Sequence, residues 1–166
     1  MTRPVSGGYS AAQISLHWLI VVLVFFQLIF GESMSTSFRA ASRGTAVDPA
    51  DATLATAHLW VGFAILALVV IRLALRLRDG APLPPAGESP ALVLAAKATH
   101  ALFYILLFVV PISGIVAYYW VPAAGEVHEL GKPAFIILIV LHVAAALWHQ
   151  FWLRDGLLMR MLKPGA

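Results

Sequence analysis

Long apolar runs separated by short polar segments set the pattern of this chain. Four runs stand out, at about residues 12–31, 54–78, 91–121 and 126–153. As a helix, each is long enough to cross about 30 Å of hydrocarbon. The third contains Pro111, Ser113 and Gly114, which predicts a kink or a tilt rather than a straight rod. The fourth reaches back through Pro133 to His128, because the acidic stretch Glu126-Val127-His128-Glu129-Leu130 reads as a helix's opening turn. Gly80-Ala81-Pro82-Leu83-Pro84-Pro85-Ala86-Gly87 is a stiff loop that can belong to no helix. The first run is too long for a signal peptide and has no small-x-small cleavage pattern soon after it, so it is expected to stay. The pattern predicts an all-α fold, a single transmembrane four-helix bundle over residues 1–166.

Composition agrees. Of the 166 residues, 61% are apolar and only 11% charged, against about a quarter charged in an average soluble domain. Mean hydropathy is +0.88. The formal charge of +3 and the pI near 9.6 would suggest a nucleic-acid partner in a soluble chain. Here the bases sit at span ends, so the partner they imply is membrane lipid, with no nucleic acid. With the N-terminus inside, the cytoplasmic loops hold Arg3, Arg72, Arg76, Arg78, Lys97, Arg154, Arg160 and Lys163, and the other side only Arg39, Arg43 and Lys132. That asymmetry places both termini in the cytoplasm. Cysteine is absent, which excludes disulfides, iron–sulfur clusters, thiolate metal sites and covalently attached haem.

Six histidines are the anomaly. An ionisable residue within a membrane span is costly and marks function. His17 lies near the inner end of the first span and His58 near the outer end of the second. His128 and His142, fourteen residues apart, project from one face of the fourth helix within about 40° and about 21 Å apart. His17 and His142 can therefore meet in the inner half of the bundle, and His58 and His128 in the outer half. Facing histidines at two levels suit two haems stacked across a membrane, each iron taking one nitrogen from above and one from below. Filled axial positions favour electron transfer over oxygen activation. With no thiolates and no buried carboxylate cluster, zinc and di-iron sites fit less well.

Other positions are consistent with two levels. Gly31 and Gly114 follow His17 and His100 by fourteen residues, where a flat macrocycle needs close backbone approach. Arg72 follows His58 by fourteen, placed to pair with a haem propionate. Gly62, one turn below His58, would let a porphyrin lie against its helix. Arg72 and Arg76 read equally as positive-inside anchors, and Gly31 and Gly114 as helix-packing residues. Trp18, Trp60, Trp120, Trp148 and Trp152 fit an aromatic belt. Taken singly, His100 and His149 read as interfacial histidines.

Tyr9-Ser10, Gln13-Ile14-Ser15-Leu16-His17-Trp18, His58 with Gly62, and Val70-Ile71-Arg72-Leu73-Ala74-Leu75-Arg76-Leu77 resemble the bacterial four-helix cytochrome b561 family. His100, Tyr104, Pro111 and Gly114 fit as well, as do His128-Glu129, Leu141-His142-Val143-Ala144-Ala145-Ala146-Leu147, His149 and Leu157-Leu158-Met159-Arg160-Met161-Leu162. The resemblance touches all four spans. It implies a di-haem b cytochrome of the bacterial inner membrane that exchanges electrons with the quinone pool. It also implies His17 and His142 as inner ligands and His58 and His128 as outer ligands, whereas depth alone leaves His149 competing for His17. Some members are superoxide oxidases that pass electrons to ubiquinone; related subunits serve periplasmic redox partners. The connection between the third and fourth spans is short for the family.

The expected activity is superoxide:ubiquinone oxidoreduction, with electrons crossing about 21 Å from the outer to the inner level. The alternatives are an electron-conduit subunit for a periplasmic donor, and a non-haem proton or metal transporter, which would want buried acids that these spans lack. His149, two turns past His142, is expected to face the same interior at the mouth, with His100 at similar depth. Either could bond a quinone carbonyl and relay a proton. Lys97 and Arg76 could hold the charge that develops on the ring. Outside, Arg39, Arg43 and Lys132 face five acids (Glu32, Asp48, Asp51, Glu126 and Glu129), so superoxide follows from kinship and not from charge.

Overall fold

The computed structural model describes residues 8–85 and 87–165. Arg3, counted among the bases above, and Ala86 of the proline-rich loop lie outside the described residues. Among the described residues the ordered elements are α1 (Ala11–Phe30), α2 (Glu32–Ser42), α3 (Pro49–Asp79), α4 (Pro90–Tyr119) and α5 (Ala124–Trp148). A π-helical turn (His149–Leu153) continues α5, and a 3₁₀ turn follows at Leu158–Met161. The four long helices match the four apolar runs, and α5 begins ahead of His128 and continues through Pro133. α4 likewise runs unbroken through Pro111. The short amphipathic α2 was not anticipated.

Local chemistry sets the helix starts. At α1, Ser10 and Gln13 form a reciprocal capping box: Ser10 Oγ accepts from the Gln13 amide at 3.3 Å, and Gln13 Oε1 from the Ser10 amide at 3.1 Å. Asp48 caps α3 and Ser89 caps α4, each followed by a proline in the first helical position, where no amide bond is lost. Gln13 also donates to the Gly80 carbonyl, and Arg72 to the Gln13 carbonyl at 2.9 Å. The start of α1 is thereby fixed to the end of α3.

α1 packs chiefly on α3, and α4 on α5, with α2 lying against α3. The core is a small apolar cluster of Ile20, Val24, Ile65, Val69, Leu107 and Phe135, with Val69 fully buried. Large apolar side chains such as Trp60, Leu77, Phe151 and Trp152 point outward. A bundle buried so thinly would not hold in water; hydrocarbon around it solvates the outward face and leaves every backbone polar group to the helices. The four long apolar helices thus form a membrane-type bundle. On each helix the core residues fall between two functional levels, for example between His17 and Gly31 on α1 and between His58 and Arg72 on α3. One end of the bundle, the terminal end, carries the start of α1 and the segment after α5, and the other carries α2.

Candidate functional site

At the α2 end, the His58 and His128 rings lie 5.8 Å apart, centre to centre, and nearly perpendicular. They line a cavity of about 680 Å³, closed on one side by Met34 and Phe38 of α2 and floored by Leu107 and Phe135. That volume is within the usual range of ligand and cofactor sites. His128 Nδ1 donates to the Val110 carbonyl at 2.8 Å, which fixes the tautomer and leaves Nε2 with its lone pair free for a metal. His58 Nδ1 is buried with no hydrogen-bond partner, as is Gln27 Oε1 in the same wall. Native proteins seldom leave such atoms unmet.

Glycine makes the cavity wide. A Cβ on Gly114 would stand 2.7 Å from His128 Nδ1, and one on Gly31 would stand 3.4 Å from His58 Cε1. At Gly62 the nearest atom would be Gln27 Nε2 at 3.5 Å, an ordinary contact. Gln27 Nε2 itself donates to the His58 carbonyl, holding α1 to α3 at this level.

At the terminal end three histidines converge. His142 lies 6.5 Å from His17, 5.7 Å from His100 and 5.3 Å from the Phe103 ring. His100 Nδ1 donates to the Ala96 carbonyl of its own helix, which again leaves Nε2 free. Arg72 is close enough to act electrostatically on His17, His100 and His142, and Arg76 on His100. Lys97 is exposed on α4, three residues before His100.

His149 departs from expectation. Instead of turning to the interior with His142, its ring is held between two carboxylates. Nδ1 lies 2.5 Å from Asp155 Oδ2, and Nε2 lies 3.7 Å from Glu88 Oε2. The backbone is the reason: it widens into a π turn at His149, then reverses at Arg154, whose φ of 52° is left-handed. The following segment folds back under the bundle. Trp18 Nε1 donates to the Met161 carbonyl at 2.8 Å, Arg160 to the Leu83 carbonyl at 2.6 Å, and the Gly165 amide to the Tyr9 carbonyl at 3.2 Å. Burial works to raise the Asp155 carboxyl, but the bonds from His149 and the Leu157 amide outweigh it and hold the group below the usual range. Glu88 and Asp155 were missed from sequence because they meet His149 only through this reversal and the loop before α4.

Imidazole nitrogens bind first-row metals at about 2 Å, so rings 5.8 and 6.5 Å apart leave room for one ion between each pair. The donor set is all imidazole, and the cavity at the α2 end is flanked by glycines. His58 with His128, and His17 with His142, therefore fit a planar iron macrocycle held by two histidines, with His100 as a further imidazole at the second level.

A family model described as prokaryotic cytochrome b561 matches residues 8–164. Cytochrome b562 of Cereibacter sphaeroides is 38% identical over 95% of this chain and 96% of its own length. A probable superoxide oxidase, CybB, of Yersinia pestis is 30% identical over 93% and 95%. Cytochrome b561 homolog 2 of Escherichia coli K12 is 28% identical over 93% and 90%.

Proposed function

Because the chain belongs to the prokaryotic cytochrome b561 family, and is therefore a haem b-binding electron-transfer protein of a bacterial membrane, we propose that it carries electrons across the inner membrane to quinone. In this reading it holds two haem b groups, one between His58 and His128 and one between His17 and His142. The observation that carries it is the pairing of imidazoles at two levels with an apolar core between them. A b-type haem held between two imidazoles would supply one-electron transfer. The residues do the rest. Val110 holds His128 in the ligating tautomer, Gly114, Gly31 and Gly62 admit a flat group, and Arg72 offers a cation to a propionate.

The excess of Lys and Arg in the loops at the terminal end makes that end cytoplasmic. The donor then meets the α2 end from outside, and ubiquinone is reduced at the terminal end, where His100 and Arg76 lie close, with Lys97 one turn before His100 and His149 at the end of the last helix. We assign superoxide as the donor, supported by the relative named a probable superoxide oxidase. The second reading, an electron conduit for a periplasmic redox partner, is favoured by one observation: Arg39, a base at the α2 end, is paired to Glu32 at 3.2 Å. Purified holoprotein in nanodiscs with ubiquinone decides between them. Superoxide-dependent quinol formation by the isolated chain is expected; reduction by a partner protein but never by superoxide would select the conduit.

A further inference from the structure

His149, Asp155 and Glu88 come from three separate parts of the chain, yet their side chains meet at 13%, 18% and 10% exposure. Two carboxylates drawn largely out of water around one imidazole are costly unless each is paired. A segment that only needed tethering already has the Trp18, Arg160 and Gly165 bonds. The ring's two nitrogens are treated differently. At 2.5 Å, Nδ1–H donates to Asp155 in a charge-assisted bond, which fixes the ring plane and leaves Nε2 as the exchanging atom. At 3.7 Å, Glu88 stands at ion-pair distance from Nε2, beyond a direct hydrogen bond, and a small side-chain movement would close the gap.

We propose that these three residues form the proton-delivery chain for the quinone site at this end, with Nε2 of His149 as the donating atom. Asp155 is the positioning residue, and Glu88 re-supplies the proton from the aqueous side. The proposal rests on the quinone reading above and deepens it. Reducing a quinone to a quinol takes two electrons, arriving singly from the protein's b-type haem, and two protons. His149 Nε2–H gives one proton to the nearer carbonyl oxygen, where an O–H bond forms as the C=O becomes C–OH. The emptied nitrogen regains a proton through Glu88. The other carbonyl draws its proton from water at the surface.

The test compares an acceptor that needs protons with one that does not. Dithionite-reduced holoprotein is mixed with a water-soluble short-chain ubiquinone or, separately, with ferricyanide, and haem reoxidation is followed optically. Asp155→Asn and Glu88→Gln are each expected to slow reoxidation by ubiquinone about 10- to 100-fold with KM unchanged. Ferricyanide should reoxidise both variants at the wild-type rate, and Asp155→Glu should recover most of the ubiquinone rate. Histidine-labelled NMR should show a strongly downfield Nδ1 proton for His149 that vanishes in Asp155→Asn. If both variants meet ubiquinone at the wild-type rate, the relay is overturned while the quinone reading stands. If wild-type protein is itself not reoxidised by ubiquinone, the quinone reading falls and the relay with it. Equal slowing with both acceptors, haem loss on Asp155→Asn, or no downfield proton in the wild type assigns the trio to holding the C-terminal segment, and also overturns the proposal.

Discussion

On the proposed two-haem reading, the two ends of the bundle pose one coordination problem and answer it differently. At the α2 end two histidines face a roomy cavity whose width comes from glycine, and one nitrogen, His58 Nδ1, is left unmet. At the terminal end a third imidazole and the Phe103 ring crowd the pair, and Arg72 brings a cation. The first end is shaped by what is missing, the second by what is added. The histidine pair at the α2 end therefore has no understudy, whereas His100 stands as near His142 as His17 does. Removing His58 or His128 should abolish the haem signal of that end and leave the other. His142→Ala should do the same at the terminal end, but His17→Ala should retain part of its haem with an altered spectrum, because His100 can offer Nε2. Pyridine haemochrome content and low-temperature difference spectra read this directly. Equal and complete losses for His17→Ala and His58→Ala would break the asymmetry.

Two substitutions in one cavity sharpen the point about glycine. Gly114→Ala puts a methyl group 2.7 Å from His128 Nδ1, so the ring must leave the Val110 carbonyl or α4 must move. Overpacking of this kind costs about 1–3 kcal/mol, and haem at the α2 end should bind more weakly. Gly62→Ala meets only the Gln27 amide at 3.5 Å, so the fold should tolerate it, and its loss of haem, smaller than for Gly114→Ala, would come only from the methyl's contact with the bound group. Equal haem retention by the two variants on titration with haem would show that the cavity does not depend on close backbone approach.

At the terminal end the matching change is Arg72→Gln. It removes the cation beside the three histidines and the bond to the Gln13 carbonyl, while the cations in the wall at the α2 end, Arg39 and Lys132, stay in place. A positive charge favours the reduced form, so the midpoint potential of the haem at the terminal end should fall and the other stay put. Spectroelectrochemical titration of the two components checks it.

How far the sequence could be read follows the same division. Helix periodicity and fourteen-residue spacing were enough to place His17, His58, His128 and His142 at two depths, because a lipid-embedded helix keeps its phase over many turns. The phase argument failed where the helix did. At His149 the backbone enters a π turn, and a seven-residue count no longer tells which way the ring points. Glu88 is 61 residues from its histidine and sits in a proline-rich loop, where no periodicity relates the two. α2 left a fainter trace: Met34, Phe38 and Ala41 recur at helical spacing within a stretch of serines, too short and polar to register as a span.

The smallest expected effect separates the two lids that close these ends. α2 leans on apolar contacts through Met34 and Phe38, which do not titrate, whereas the C-terminal segment is joined to the bundle in part through Asp155. The groups facing Asp155 are His149 and Arg160, with Glu88 across the ring. Its carboxyl is held below the usual range in the folded protein, so its contribution is fully present above the ordinary carboxylate range. It is lost as pH falls through the lowered value, because there the folded state must take up the proton that the released segment already binds. Limited proteolysis after Arg154 or Arg160, followed across acidic pH, should therefore speed up at low pH in the wild type. In Asp155→Asn the acid-dependent part should be gone and cleavage only slightly faster, because the Trp18, Arg160 and Gly165 bonds still hold the segment, while cleavage within α2 stays flat throughout. A C-terminal segment whose protection ignored both acid and Asp155→Asn would mean that the Trp18 and Arg160 bonds hold it alone, and that Asp155 is placed for His149 rather than for the fold.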